Sequence, residues 1–352
     1  MNNHTIILGF ILVLVTTPLL ARDKTDVLVM NNGDHMTRQV KGLDAGVLYV
    51  DFDYIDGTAS VDWSKVARLE SKQLFLVKTA DGSLYSGTLK TPETPAGRPV
   101  RIQVVENATQ ETEIDRPQIV TMIATSDKFF ERFNGQVSFG VNYTKGNQAT
   151  QYSLGSQTAY VRERWGAQAN FQSNLSSSNG TTASTRNELT VIPQRLLPWN
   201  NWFYAGLVDF LQSSAQGISL QSSLGGGVGR YLKNTNRTRI SLLGGAVWQN
   251  TKYQPSIVSA NTQNLGAALF YANADFFRFS KTNLTVSAAI LPAVSDPGRV
   301  RFNTNVSYYV KLIGNLKWNV SFYGNWDNRP PAGLSGSDYG SSSGLTWTFG
   351  LK

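Results

Sequence analysis

The sequence contains no cysteine and only two histidines, His4 and His35. The first absence excludes a disulfide framework and any thiolate metal site. The second is narrower in effect. Beyond His35 no imidazole is available to activate a serine or a water, so a Ser-His hydrolase site is excluded from residues 36–352. Charge is scarce too: 16% of residues are charged, and Lys and Arg form no run of the kind that marks nucleic-acid binding. No nucleic-acid partner is expected. After Val15 no apolar stretch reaches the ~20 residues that a membrane-spanning helix needs.

What is present is polar, aromatic and mildly basic. There are 32 Lys+Arg against 24 Asp+Glu, a net charge of +8. That balance suits anionic partners such as lipopolysaccharide, and it equally suits a solvated basic surface. The mean hydropathy of −0.22 is that of a soluble protein. It is also compatible with a membrane barrel, whose strands alternate lipid-facing apolar and lumen-facing polar residues and so average near neutral.

Residues 1–21 carry no Lys, Arg, Asp or Glu. Ile6 to Val15 is apolar except for Gly9, Thr16-Thr17-Pro18 breaks the run, and Ala21 offers a small residue for cleavage. This is the layout of a secretory signal peptide rather than of an anchor.

Residues 22–115 read as a small β-rich domain, expected in the periplasm. Asn32-Gly33, Asp56-Gly57 and Asp81-Gly82 are hairpin signals, because glycine accepts the positive φ of such turns. Val27–Met30, Leu48–Phe52 and Leu74–Val77 precede them. Asp62 to Leu69 predicts one short helix, with Asp62 as N-cap and Val66 and Leu69 inward. Asp51, Asp53, Asp56 and Asp62 hint at a calcium loop, but Asp56 and Gly57 fall at positions 6 and 7 of the register, one late for that motif. A strand and hairpin is the better reading, and His35 reads as a surface residue beside a turn. No metal or other cofactor is expected.

Residues 116–132 read as a connector. Pro117 marks its start, and Ser126 to Phe133 predicts a short amphipathic helix sharing Phe129, Phe130 and Phe133 on one face.

From residue 133 onward the pattern has period two. Val137, Phe139, Val141 and Tyr143 alternate with Gln136, Ser138, Gly140 and Asn142. Leu316, Trp318, Val320, Phe322 and Trp326 alternate with polar residues, as do Leu345, Trp347, Phe349 and Leu351. Such runs are longer than ordinary strands and match the ~9–11 tilted residues that cross a bilayer. Twelve strands are predicted, at 133–145, 150–162, 165–176, 181–192, 201–212, 217–231, 238–250, 262–275, 282–293, 299–312, 315–327 and 339–351. Hydrocarbon cannot satisfy an open strand edge, so the first strand must pair with the last. The fold class is therefore all-β, a transmembrane antiparallel barrel at 133–352 behind a small β domain. An even count puts both barrel ends on the periplasmic side. Residues 193–200 are then an unusually long inner connection. Tyr143, Trp202, Trp248, Tyr271 and Trp326 are the expected interfacial girdle.

Phe129 to Asn147, with its Gly-containing alternating strand and Lys145-Gly146-Asn147 turn, resembles the opening of the salt-induced outer-membrane protein family. Leu224 to Tyr231 is similar to that family's Gly-rich middle strand, and Asn32-Gly33-Asp34 and Val61 to Val66 resemble its two-part members. The resemblance implies a Gram-negative outer-membrane location and a barrel. It implies no chemistry, because the family has no assigned activity.

Parity places Arg186, Glu188, Asp209, Arg239, Arg301, Lys311, Lys317 and Asp327 toward the lumen. They can pair across the interior and fill it, making a non-enzymatic structural or envelope-stress protein. They can instead line a water path, and their basic excess then favours anions. A third reading makes the N-terminal module a binder of peptidoglycan or a periplasmic protein. The other expected partners are outer-membrane lipid, lipopolysaccharide and the barrel insertion machinery.

Overall fold

The computed structural model describes residues 25–52, 58–92, 99–107, 110–124, 132–144, 149–162, 164–177, 184–197, 200–254, 262–278, 281–330 and 335–350. The leader, the Asp56-Gly57 turn, the connector helix and the Lys145-Gly146-Asn147 turn lie outside them.

The N-terminal part is one antiparallel sheet of nine strands: β1 (Asp26–Met30), β2 (His35–Asp44), β3 (Val47–Asp51), β4 (Thr58–Asp62), β5 (Val66–Thr79), β6 (Leu84–Lys90), β7 (Arg101–Asn107), β8 (Gln110–Asp115) and β9 (Ile119–Ala124). The path runs β4-β3-β2-β1-β5-β6-β7-β8, and β9 pairs with both β2 and β5. Its core holds Leu28, Val40, Leu43, Leu48, Val50, Trp63, Val66, Leu69, Phe75, Val77, Ile102 and Met122. The Trp63 indole donates to the Arg116 carbonyl at 2.9 Å, so its one polar atom is satisfied inside that core.

Two expectations change here. The helix predicted over Asp62–Leu69 is a single 3-10 turn, Trp63–Lys65. Asp62 does cap it, accepting from Ser64 N at 3.0 Å, but Val66 and Leu69 point inward as strand residues. The β-branched and long alternating run that follows favours a strand over a second helical turn. The domain also does not stop at residue 115. β9 belongs to its sheet, and Pro117 sits in the 3-10 turn Arg116–Gln118, where its missing N–H costs nothing. His35 opens β2 and is exposed, as expected.

The remainder is a closed twelve-stranded barrel. Its strands are β10 (Phe133–Thr144), β11 (Ala149–Val161), β12 (Trp165–Ser177), β13 (Ser184–Leu196), β14 (Trp202–Ser213), β15 (Ile218–Asn234), β16 (Thr238–Tyr253), β17 (Thr262–Arg278), β18 (Thr282–Pro292), β19 (Val300–Ile313), β20 (Leu316–Asp327) and β21 (Ser337–Phe349). Closure runs through β10 and β21, from Gly135↔Phe349 to Phe139↔Leu345. The predicted strand count and order hold. β13 runs on to Leu196 despite Pro193, which leaves a five-residue connection, Leu197–Asn201, in place of the long one expected. The β13–β14 ladder is interrupted at Pro193, between the Val191↔Val208 and Gln194↔Ala205 pairs, because proline has no N–H to give.

The barrel inverts the usual burial. Every strand sets a large apolar side chain on the outside, among them Phe139, Leu154, Leu175, Leu189, Phe210, Leu224, Leu242, Phe270, Ile290, Tyr308, Phe322 and Leu345, each between 37% and 60% exposed. Trp202, Trp248 and Trp326 are on the outside too. Tyr271 is not: it packs with the inward cluster of Val247, Ala267, Leu269 and Leu291, so it leaves the predicted girdle. Its position is odd on a strand whose outward residues, Phe270 and Phe276, are even.

Candidate functional site in the barrel lumen

The N-terminal sheet rests on one end of the barrel, the near end, where the Leu197–Asn201, Thr235–Arg237 and Gly314–Asn315 turns lie. Two glycine turns make the contact. Gly82, at φ +92°, faces Asn201, and Gly46, at φ +75°, faces Asn236. Both need the left-handed region, which glycine enters without strain. Asn201 Nδ2 donates to the Ala80 carbonyl at 2.7 Å, and Asn236 Nδ2 to the Ile119 carbonyl at 2.8 Å. Arg239 pairs with Asp44 at 3.4 Å, and Lys311 Nζ donates to Ser60 Oγ at 3.0 Å.

Lys78 lies in the same seam, its ammonium 4.6 Å from the centre of the Tyr231 ring. Burial, and secondarily the nearby Arg239 charge, pull its pKa down to about 7. Tyr49 at the same end is pushed above its ordinary range by burial, with Asp44 adding to the effect.

At the far end side chains reach across the lumen. Arg186 on β13 reaches Asp338 on β21 at 2.8 Å and Glu188 on its own strand at 3.0 Å. Its guanidinium sits 4.9 Å from the Tyr323 ring. Strands β13 and β21 are not neighbours, so this pair bridges the lumen. A second strut runs from β19: Arg301 pairs with Asp327 at 3.0 Å and donates to Gln249 on β16 at 2.7 Å and Gln221 on β15 at 3.4 Å. Arg299, 2% exposed, clamps the same Asp327 at 2.6 Å. Asp209 accepts from Thr190 at 2.7 Å. Lower down, Gln136 on β10 donates to Gln157 at 3.0 Å and to Tyr309 on β19 at 3.1 Å.

All eight charges predicted to face the lumen have inward parity. Seven have a polar contact given above, and Lys317 stands cross-strand from Lys311. Glu188 and Asp327 are partners from the predicted set; what parity could not supply is the others. Asp338 lies just before the predicted start of the last strand, and Arg299 precedes β19 by one residue. Asp44 comes from the other domain. One half of the wall, β14 and β16–β18, is lined by Leu207, Leu243, Val247, Leu269 and Leu291. The other half carries Ser, Asn, Gln and Gly, including Ser138, Ser153, Gln172, Asn174 and Asn305. In the Gly-rich β15, Gly229 leaves the space that the Phe203 ring fills from β14.

The fold and this lumen define a class: a closed antiparallel twelve-stranded β-barrel, apolar outside and polar-bridged inside, with a β domain seated on one mouth. Within that class the chain belongs to the DUF481 family of proteins of unknown function, which matches residues 137–349. No curated protein matches the chain. Among solved structures it is similar to the NanC porin, at 11% identity and a TM-score of 0.39, over 61% of this chain and 99% of that one. It is also similar to the translocator domain of the autotransporter NalP from Neisseria meningitidis, at 12% identity and a TM-score of 0.35, over 62% and 87%. A third similar structure is a porin, at 13% identity and a TM-score of 0.29, over 92% and 98%. No role is carried over from them.

Proposed function

We propose that this protein is a non-enzymatic outer-membrane barrel whose lumen is closed at rest, serving a structural or envelope-stress role. The observation that carries the reading is the pair of bridges across the far lumen, Arg186–Asp338 and Arg301 with Asp327, Gln249 and Gln221. Charges tied to one another across the interior favour a filled lumen over a water path, and breaking one buried pair costs about 3–5 kcal/mol. The apolar side chains outside all twelve strands support the membrane setting, since soluble monomers rarely expose large contiguous apolar surface. On this reading the near end faces the periplasm, lipid and lipopolysaccharide surround the barrel, and the insertion machinery assembles it.

Planar-bilayer recording of the full chain tests the proposal. The intact protein is expected to show no steady conductance, and Arg186→Ala combined with Arg301→Ala to open it. Steady ohmic conductance of the intact protein would sink the closed state. It would favour the second reading, a passive pore, for which the uncharged Ser/Asn/Gln wall is the supporting observation. Struts that neutralise the lumen cations leave that pore little anion preference. The exposed edge strand β8 supports a third reading, a docking edge for a periplasmic partner or cell wall; sacculi that retain none of the protein would remove the cell-wall version.

A further inference from the structure

The arginines that face the far lumen are matched by carboxylates. Three on the outer face of the near rim are not. Parity puts Trp165, Arg195 and Tyr204 on the outside of β12, β13 and β14, together with Leu175, Leu189 and Phe210 of the same strands. The register sets the three in one row: Trp165 stands cross-strand from Arg195, and Arg195 from Tyr204. A second pair lies beside it, Trp202 cross-strand from Arg230 on β15. The Arg230 guanidinium is 5.7 Å from the centre of the Trp202 ring, and that of Arg162, directly after β11, is 6.0 Å from the centre of the Trp165 ring. All six side chains are exposed. Among the described residues no carboxylate pairs with Arg162, Arg195 or Arg230; Glu163 lies outside those residues. Asp81, on the N-terminal turn that meets Asn201, is taken up by Thr79 and Ser83.

We propose that this outward group of three arginines and three aromatic rings is a binding site for the headgroup of an anionic phospholipid in the periplasmic leaflet. The inference rests on the membrane setting proposed above and adds to it a leaflet, a lipid class and the residues. Three guanidiniums without a paired acid are the charge complement of a phosphodiester, and each offers the planar fork that takes two phosphate oxygens. Arg230 Nε donates to the Asn200 carbonyl at 3.1 Å, which fixes that side chain on the rim and leaves its two terminal nitrogens for the phosphate. Arg162 and Arg230 are held further by the electron-rich faces of the indoles beside them. Indole and phenol rings belong at the height where headgroups give way to chains. Deeper on the same strands the outward row Phe171, Leu189 and Phe210 supplies an apolar wall for the acyl chains. A zwitterionic lipid brings its own cation to the arginines and gains less from them.

The experiment uses the full chain folded into phosphatidylcholine vesicles that carry a small fraction of brominated lipid, which quenches nearby tryptophan. Brominated phosphatidylglycerol and brominated phosphatidylcholine are compared at the same fraction, and Trp165→Phe gives the share of the signal that comes from the site. Wild type is expected to be quenched more by the phosphatidylglycerol, with the excess shrinking in Trp165→Phe and at high salt. Arg195→Gln is expected to lower the preference about fivefold, and Arg162→Gln/Arg195→Gln/Arg230→Gln to abolish it. Lys252→Gln, exposed at the far end, is the control for net charge and is expected to change nothing. Equal quenching by the two lipids in wild type overturns the site. So does a preference that the arginine variants leave intact, or one that Lys252→Gln lowers as much as Arg195→Gln. If the triple variant does not fold, as judged by loss of heat-modifiable gel migration, Arg195→Gln decides alone. Wild type that inserts into no vesicle removes the membrane setting, whereas insertion without lipid preference removes this site only, so the two failures are distinguishable.

Discussion

The two halves of this chain use the same period-two alternation and bury opposite faces of it. In the N-terminal sheet the apolar face turns inward around Phe75, Leu69 and Ile102, all fully buried, and the polar face meets solvent. In the barrel the apolar face is on the outside, with Leu224 60% and Phe270 58% exposed, while polar residues such as Thr346, fully buried, face in. Alternation alone therefore fixes strand and register but not which face is the core. Closure decides that: the N-terminal sheet path has free ends at β4 and β8, whereas β10 and β21 pair.

The sharpest way to break the comparison is to remove one large apolar side chain from each half. Phe75→Ala empties a fully buried site and is expected to cost the N-terminal domain about 3–5 kcal/mol. Phe322→Ala on the outer barrel face leaves no internal cavity and is expected to cost far less. Urea titration of Phe75→Ala in the full chain, with heat-modifiable migration for the barrel, measures both. Comparable losses would mean that the barrel face packs against protein rather than lipid.

Next in size is the reverse substitution. Leu224→Arg places a charge on the outward face midway along β15 and is expected to cost about 2–4 kcal/mol in a bilayer. Leu74→Arg, on the solvent face of β5 and 52% exposed, is expected to stay within about 0.5 kcal/mol. Folding yields into lipid vesicles separate the two, and a harmless Leu224→Arg would remove the membrane face.

A smaller effect probes the polar atoms inside the soluble-type core. Asp26, 5% exposed, accepts from Val40 N at 2.8 Å and from the Ser71 hydroxyl at 2.5 Å. Asp26→Ala orphans a buried backbone N–H and is expected to cost about 1–3 kcal/mol. An unchanged urea midpoint would show that water replaces the carboxylate.

Much of this was legible beforehand, for a physical reason. Period two survives inversion, so the barrel strands and the inward parity of residues such as Arg186 and Arg301 follow from spacing alone. Tyr271 shows the limit: an aromatic near a strand end reads as a girdle residue until parity is counted from Phe270. β9 was hidden because Pro117 reads as a boundary, although a single 3-10 turn absorbs it. The pairing of lumen charges was expected, but which groups meet across the lumen was not legible. Arg186 meets Asp338 because of the barrel's closure and stagger, which set heights across the lumen that no local window contains.

A pH-dependent effect lies at the seam where the two halves meet. Lys78 faces the Tyr231 ring and Arg239, with Asp44 engaged by Arg239. Its pKa falls from an ordinary 10.5 to about 7 when docked. Below pH 7 both docked and undocked states carry the proton, and the docked state bears the full cost of a buried charge. Between pH 7 and 10.5 only the undocked lysine stays protonated, so rising pH draws protons from the undocked state and favours docking. The gain is at most about 1.4 kcal/mol per pH unit. Because the chain lacks cysteine, spin labels at Ser83→Cys and Arg237→Cys can report the distance across the seam directly. The docked fraction is expected to rise from pH 7 to pH 10 in wild type and to stay flat in Lys78→Met. An equal rise in both would take the pH response away from Lys78 and leave the Asp44–Arg239 pair as the contact that holds an inward-core domain onto an outward-core barrel.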